Sequence, residues 1–525
     1  MKQPETRVTR WLLGGLIGLL SAAAAVAVGE IAAAFTAELG ASAPNAPVVA
    51  VGEWAIQLSP PWLKEAAIRQ FGTHDKTALL TGVYLGIAAI SALAGVIARR
   101  HLGLASGLAA VFGLTGLIAA VTRPAAGSGS WLPALTAGAA TILVLRGLTV
   151  YSLVPRGPAA EPEPGDRRRL LAALAGTAVA CAIGGIGGEA WLSARYNTTA
   201  ARAAVKLPPP TETLPALPES VRPNVPGLGP FFTPNTAQGG SSGFYRVDTS
   251  LSIPQVDPND WKLRIHGMVD RPFELSFAEL LKLPLEEHDL TLTCVSNPVG
   301  GPYTGNARWL GARLAPLLRQ AGVQRGADQI LSTSTDGMTI GTPVEAVLDG
   351  RQAMLAVAMN GQTLPIEHGF PCRMLVPGLY GYVSATKWVV DLELTTFARD
   401  SAYWVKEGWA QQGPVKTASR IDVPQSGAAV TRGTVTLAGV AWATHRGVDA
   451  VEVRIDSGPW FPAQLATADT PDTWRMWSHP WSADPGTHTI TVRCTDGTGT
   501  LQTPVDQGAI PNGATGYHSI TVTVA

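Results

Sequence analysis

Long apolar runs are confined to the first 195 residues, in Trp11–Gly29, Thr77–Ala98, Leu102–Val121, Trp131–Val150 and Leu170–Trp191. Each is rich in Ala, Leu, Gly and Val and approaches the ~20 residues a helix needs to cross hydrocarbon. The pattern predicts five transmembrane helices. Arg146 is the one interior cation, and it sits near the end of its run, where its stem can stay in apolar surroundings while the charge reaches water. Ala46–Phe71 is too polar and proline-broken to span and reads as an interfacial segment. Gly14/Gly18 and Gly184/Gly188 offer small faces for close helix packing.

Beyond this half the periodicity changes. Pro208–Pro234 holds nine prolines in 27 residues, which predicts an extended, semi-rigid spacer holding the rest of the chain clear of the bilayer. The Gly/Ser stretch Gln238–Gly243 ends it. Trp261–Val269 then alternates like a half-buried strand, and Ser276–Leu283 reads as a short helix with Ser276 and Glu279 at capping-box spacing. Leu290–Val295 predicts a strand running into Cys294, and Leu310–Ala321 an amphipathic helix closed by Gly322. Arg373–Val376 and Lys387–Leu394 are two further strands. This mixture predicts an α+β domain. After about Ile421, short alternating runs parted by Gly, Pro and Asp predict an all-β, immunoglobulin-like sandwich. Cys494 is its only cysteine, so no intersheet disulfide is expected. The expected fold is therefore multi-domain. An α-helical membrane bundle spans 1–195, a linker 196–242, an α+β domain 243–420 and a β-sandwich 421–525.

Composition supports a membrane half: 46% of residues are hydrophobic and 15% charged, against about 25% charged in ordinary soluble domains. Basic and acidic residues balance at 39 each, giving no global field to recruit nucleic acid. Charge placement orients the spans. Lys2, Arg7, Arg10, Arg99, Arg100, Arg156 and Arg167–Arg169 fall on one side if all five cross, against Lys64, Arg69, Lys76 and Arg123 on the other. The positive-inside rule then predicts a multi-pass protein of the cell membrane with everything after Trp191 extracytoplasmic. Arg167–Arg169 before a weakly apolar run also resembles a twin-arginine export signal, though a positive-inside anchor explains it equally. Before residue 200 the only histidines are His74 and His101, at span ends. No haem is therefore expected in the spans, and no cysteine set for an iron–sulfur cluster is present.

The chemistry-bearing residues lie after Phe244. Cys294 ends a strand in LTCVSNPVGG, with Ser296 and Asn297 beside it and Gly300/Gly301 allowing close backbone approach. A free cysteine is most often a small buried hydrophobe, so alone it decides nothing. His368 and Arg373 stand five apart across HGFPCR, Lys387 follows the Gly/Ser/Thr-rich GLYGYVSAT, and Arg246 lies in FYRVD. Separated cations, a soft thiolate and Gly-rich loops suit a phosphorylated, metal-bearing cofactor. Zinc fits less well, because no second Cys or His lies at ligand spacing from Cys294.

From about Gly243 to Ala525 the chain resembles the sulfite oxidase family of molybdenum-cofactor oxidoreductases. The resemblance is carried by LTCVSN around Cys294, by MNGQTLPIEHGFPCRMLVPGLYG (Met359–Gly381), by Lys387–Trp388, and by GVAWATHRGVDAVEVRIDSGPW and WRMWSHPW in the sandwich. It implies a sulfite-oxidase-type molybdopterin domain in which Cys294 is the protein thiolate on molybdenum, a soft ligand such a metal favours. It implies that His368, Arg373, Ser384 and Lys387 hold the pterin and its phosphate, and that Ser296 and Asn297 border the metal. Tyr245, Arg246 and Asp248 occupy a segment of further cofactor contacts, where the usual pattern is Arg-x-His. The implied chemistry is oxygen-atom transfer, foremost oxidation of sulfite to sulfate, with electrons leaving to an external electron-transfer protein or quinone.

Two departures bear on the substrate, which would be a small oxyanion or an S- or N-oxide. Val357 stands where sulfite oxidases have a tyrosine, and Asn297 is followed by Pro298 where they have an arginine. Arg308 is the candidate compensating cation, although its NARW context reads more readily as the start of the Leu310 helix. Reduction of sulfoxides or N-oxides at the same site is the alternative activity, and a non-catalytic membrane-tethered binding module the alternative class. The sandwich resembles the family's dimerisation domain. With Trp442, Trp460, Trp474, Trp477 and Trp481 it is expected to form a homodimer interface or to cover the catalytic domain.

Overall fold

The computed structural model describes residues 7–38, 46–60, 63, 70, 75–123, 126, 129–153, 164–195, 197–236 and 243–525. Lys2, Lys64, Arg69, His74, Arg156 and most of the Gln238–Gly243 stretch lie outside these. The chain divides into two compact units, Met1–Asn197 with Ser250–Gln255, and Thr198–Thr249 with Val256–Ala525.

The first unit is helical: α1 (Arg7–Glu38), α2 (Pro47–Leu58), α3 (Asp75–Ala98), α4 (Leu102–Thr122), α5 (Trp131–Leu153) and α6 (Pro164–Arg195). All except α2 are long and apolar enough to cross a membrane. At 12 residues α2 is about 18 Å long, well short of the ~30 Å hydrocarbon layer. Its Glu53 pairs at 3.4 Å with Arg123, whose side chain is buried just past α4. Helix α1 packs against α3, α5 and α6. The small residues explain how: a Cβ on Gly18 would fall on the Ser91 carbonyl of α3, and one on Gly188 would lie 2.9 Å from the Ile31 nitrogen of α1. Both small faces are thus used inside one chain.

The second unit opens with two sheets. One has the order β2 (Phe273–Ser276), β1 (Lys262–Gly267), β10 (Val389–Thr395), β5 (Gln329–Ser334), β6 (Thr339–Pro343). The other runs β3 (Leu285–Thr293), β4 (Thr304–Arg313), β7 (Met354–Met359), β8 (Gln362–Thr363), with β9 (Arg373–Leu375) also on β7. Strand β7 is buried along its whole length, which is why it reads as a continuous apolar run. The capping box forms as expected: Ser276 Oγ accepts from the Glu279 nitrogen, and Glu279 accepts from the Ser276 nitrogen.

The structure corrects two expectations in this domain. Residues 310–313 belong to β4, and helix α7 (Leu314–Ala321) starts four residues later than predicted. Strand β4 is paired on both sides, Leu310 with Glu287 and Ala358, and these ladders outweigh the helical periodicity. The proline-rich segment is not a free spacer either. Val221, Val225, Leu228 and Phe231 are buried in the main core of this unit. Thr211 donates to the Leu285 carbonyl at 2.7 Å and Thr233 to the Asn306 carbonyl at 2.8 Å. Apolar residues between the prolines give the extended segment a face to bury.

The sandwich pairs two sheets. The first is β11 (Ala418–Val423), β13 (Gly433–Trp442), β17 (Arg475–Ala483), β16 (Gln464–Leu465). The second is β12 (Ala429–Val430), β19 (His518–Val524), β18 (Gly486–Asp496), β14 (Val448–Ile455), β15 (Trp460–Pro462). Cys494 is a buried free thiol. Trp442, Trp474, Trp477 and Trp481 are all buried within the chain, Trp442 and Trp474 in the core shared with the α+β domain. These four rings do not form an exposed interface, and Trp460 alone of the five is half-buried.

Helix packing in the first unit yields a test. Gly18→Val should force α1 from α3 and cost about 1–3 kcal/mol, read as a lower thermal unfolding midpoint in detergent. Gly82→Val, where a Cβ meets no atom within 4 Å, should leave the midpoint unchanged.

Candidate active site

Cys294 follows the last residue of β3, and its segment is closed by its own hydrogen bonds. Its nitrogen donates to the Tyr303 carbonyl at 2.9 Å, and the Asn297 nitrogen donates to its carbonyl at 3.1 Å. Asn297 Oδ1 accepts from the Tyr303 nitrogen at 2.8 Å, so Asn297 shapes the loop. Ser296 Oγ lies 2.9 Å from Cys294 Sγ. Burial raises the Cys294 thiol pKa, and the Ser296 contact opposes this by stabilising the thiolate.

Tyr245 interacts electrostatically with both Cys294 and Arg373, and so joins this segment to a set of basic groups. His368 ends a single turn, Ile366–His368, and is buried. Gly369 next to it has φ +114°, and a Cβ there would sit 3.1 Å from the Lys387 backbone, so only glycine lets the two loops close. Arg373 opens β9, buried, with Nη1 donating to the His368 carbonyl at 3.4 Å and its guanidinium 5.6 Å from the centre of the Trp309 ring. Lys387 Nζ donates to Asp248 Oδ2 at 2.8 Å and lies 4.6 Å from the centre of the Trp388 ring. Arg246 Nε shares that carboxylate oxygen at 2.7 Å. Trp388 carries the loop at φ +49°, a conformation bulky residues avoid, and its indole N–H donates to the Ile366 carbonyl at 2.8 Å. Phe244, stacked on Tyr245 at 5.3 Å and edge-on to His368 at 5.5 Å, packs the set from below.

Electrostatics follow from burial and crowding of like charge. Burial, then Arg373 and Lys387, push His368 down to about 3, so its imidazole is neutral at pH 7. Burial lowers Lys387 to about 8 against the pull of Asp248, and lowers Arg373 to about 10. The Tyr245 phenol is pushed up, by burial first and then by Cys294, and stays protonated. Two buried polar atoms in this set, His368 Nε2 and Arg373 Nε, have no hydrogen-bond partner. Buried donors and acceptors are rarely left so. Orphaned atoms among cations beside a thiol are what an anionic, metal-bearing cofactor would satisfy, and the residues present fit one. Among the described residues no group of three or more His, Cys, Asp or Glu side chains could hold a metal, so a metal on Cys294 would take its other ligands from the cofactor.

The structure brings together Cys294, Ser296, Asn297, Tyr245, Arg246, Asp248, His368, Arg373 and Lys387. The Ser384 hydroxyl and the Arg308 guanidinium are committed to other partners. Ser384 Oγ donates to the Leu379 and Tyr380 carbonyls at 3.0 Å, closing the turn α8 (Gly381–Ser384). Arg308, expected to help hold substrate, lies in mid-β4 opposite Asp289 and forks onto it at 2.8 and 2.7 Å. Cys294 lies five positions along the chain from Asp289, roughly 16 Å in extended strand. Val357 is fully buried in the main core. Trp309, beneath Arg373, was missed because NARW reads as the start of a helix, and strand alternation was the signal that could have found it.

Comparison with known proteins fits this geometry. The oxidoreductase molybdopterin-binding domain matches residues 250–404, and a bacterial Ig domain matches residues 418–492. Mitochondrial sulfite oxidase of Mus musculus is 30% identical over 278 residues, covering 43% of this chain and 50% of the mouse protein. The uncharacterized oxidoreductase YuiH of Bacillus subtilis (strain 168) is 32% identical over 157 residues, covering 30% of this chain and 76% of YuiH. Among solved structures, the sulfane dehydrogenase SoxCD from Paracoccus pantotrophus aligns over 52% of this chain and 78% of its own, with TM-score 0.46 and 23% identity. The chain spans between half and two thirds of the length of the curated sulfite oxidases it matches.

The buried imidazole gives a pH prediction. In the unfolded chain His368 takes a proton near 6.5, but in the folded, cofactor-free chain only near 3. Stability should therefore be lost as pH falls from 6.5 towards 3, by at most about 5 kcal/mol from this group. Urea unfolding of cofactor-free protein between pH 7 and 4 should show a shallower acid loss for His368→Gln than for wild type. Identical acid limbs would mean the imidazole is not held neutral.

Proposed function

The chain belongs to the sulfite oxidase family of molybdopterin-binding oxidoreductases, and from that premise we propose that it transfers an oxygen atom between water and a small substrate at a molybdenum held by Cys294. Sulfite oxidation is the first reading. Sulfite and water become sulfate, and two protons and two electrons leave, the electrons to an external electron-transfer protein or quinone. The observation that carries the proposal is the pair of unpartnered buried atoms, His368 Nε2 and Arg373 Nε, in a cationic set beside Cys294. When bound, the cofactor supplies the two-electron redox change. Arg373, Lys387 and Arg246 bind and orient its anionic groups, neutral His368 adds a hydrogen bond, and Tyr245 keeps its phenolic proton. The Ser296 hydroxyl, 2.9 Å from the Cys294 sulfur, would donate to a thiolate there and so favours the form needed for ligation.

One observation favours a second reading, reduction of an S- or N-oxide. Arg308, the expected substrate cation, is committed to Asp289 at 2.8 and 2.7 Å, and a site short of that charge suits an uncharged oxide better than a dianion. We also propose that the helical unit anchors the protein in a membrane with the catalytic unit outside, on the distribution of Lys and Arg. We propose a homodimer too, on half-buried Trp460, flanked by Arg454 and Arg493 at 4.7 and 4.2 Å, a residue set enriched at interfaces.

Detergent-purified chain should contain equimolar molybdenum and reduce an acceptor dye with sulfite. Its turnover should be abolished by Cys294→Ser, whereas the fully buried Cys372→Ser should act mildly. Turnover with methionine sulfoxide in place of sulfite would select the second reading, and absent metal would leave only a binding module. For topology, protease added outside intact cells should degrade the sandwich while sparing a tag at the N-terminus. Protection of the sandwich would reverse the orientation.

A further inference from the structure

A metal-ligating cysteine is useful only if its backbone is held, yet Cys294 follows β3, the edge strand of its sheet. An edge strand leaves a row of backbone groups unpaired. Here the sandwich supplies partners. The Thr291 nitrogen donates to the Asp472 carbonyl at 3.0 Å, and the Trp474 nitrogen donates to Thr291 Oγ1 at 2.7 Å. The Asp472 carboxylate locks this turn in place, with Oδ2 3.0 Å from His288 Nε2 on β3 and Oδ1 3.3 Å from His445 Nδ1. Burial alone would raise its pKa, but the two imidazoles outweigh that and hold it near 2, so it is ionised.

The sandwich also grips the loop after the cysteine. Arg420 of β11 forks onto Asp422 at 2.6 and 3.3 Å and turns its other nitrogen, Nη1, onto the Gly301 carbonyl at 2.9 Å. The His518 ring, whose Nδ1 accepts from the Ile421 nitrogen at 3.0 Å, lies against Gly300 so closely that a Cβ there would fall on the ring. Gly300 has φ +73°, so both its conformation and its neighbour require glycine.

We infer that the sandwich is a clamp on the Cys294 segment, with Asp472 and Arg420 as positioning residues that fix the thiolate from the strand before it and the loop after it. This rests on the reading of Cys294 as a metal ligand. Loosening either jaw lets the sulfur wander relative to the cationic cradle, which is anchored on other strands. The effect should appear in the metal–sulfur bond and in the chemical step rather than in substrate affinity.

The test uses the full-length chain in detergent, as wild type, Asp472→Asn, Arg420→Gln and Arg420→Lys. Hydrogen exchange of the amides from Thr293 to Gly301 is read on cofactor-free protein. The thiolate-to-molybdenum absorption band, kcat per molybdenum and KM are read on loaded protein. Faster exchange in this segment in Asp472→Asn and Arg420→Gln is expected, with a shifted band and kcat per metal down about tenfold or more. KM should stay near wild type, and Arg420→Lys should recover part of the loss. If Asp472→Asn fails to fold, the Arg420 pair carries the test alone. Wild-type exchange, band and kcat, with only a lower melting point, would overturn the clamp. A band indifferent to Cys294→Ser would sink the ligand reading instead, and the exchange data would still decide whether the sandwich holds the segment.

Discussion

Four basic side chains, Arg246, His368, Arg373 and Lys387, converge beside one thiol, and the chain cannot balance them internally. Asp248 answers Arg246 and Lys387, but Arg373 and His368 keep buried atoms without partners. Burying a charge or a polar atom so costs several kcal/mol unless something pairs with it. The fold can hold the cluster because rigid elements overdetermine it. Trp388 ties the Lys387 loop to the His368 turn, Gly369 lets those two close, and β9 pins Arg373 to β7. An anionic cofactor then relieves what the chain alone leaves uncompensated. The cluster is thus preorganised for its ligand at the expense of the empty domain's stability.

The surrounding architecture serves the same end. Arg373 opens β9, His368 and Lys387 lie in the loops before β9 and β10, and Arg246 lies in the segment before β1, while Cys294 leaves the edge strand β3. An edge needs a cover. The proline-rich segment supplies one near Leu285 and the sandwich supplies another near Thr291. This explains why Trp442 and Trp474 belong to a core shared with the catalytic domain instead of an exposed face. The helical unit follows a different rule. There, glycines at Gly18, Gly95 and Gly188 bring helix backbones together.

Features that lie contiguous in the chain could be read in advance. Five apolar runs became five long helices, and Ser276 and Glu279 formed their box, because each depends on neighbours a few residues away. His368, Arg373 and Lys387 were legible for the same reason, standing in one ordered stretch. Long-range pairing was not legible. NARWLGAR reads as the start of a helix, yet pairing with β3 and β7 makes it strand, and that change carries Arg308 to Asp289 and places Trp309 beneath Arg373. The nine prolines of the linker correctly signalled extension. Their apolar neighbours, which decide that it lies on the domain, gave no periodic signal. The hold of Asp248 on Lys387, and that of Asp472 on His288, join residues more than a hundred positions apart, and only folding brings them together.

Everything rests on Cys294 being the sulfur on molybdenum within this cationic cradle. X-ray absorption at the molybdenum edge of the full-length chain addresses that directly. The account predicts molybdenum in both wild type and Cys294→Ser, retained by the same basic residues, with one sulfur missing from the metal's coordination in the variant. An unchanged sulfur shell in Cys294→Ser, or wild-type protein without molybdenum, would contradict it.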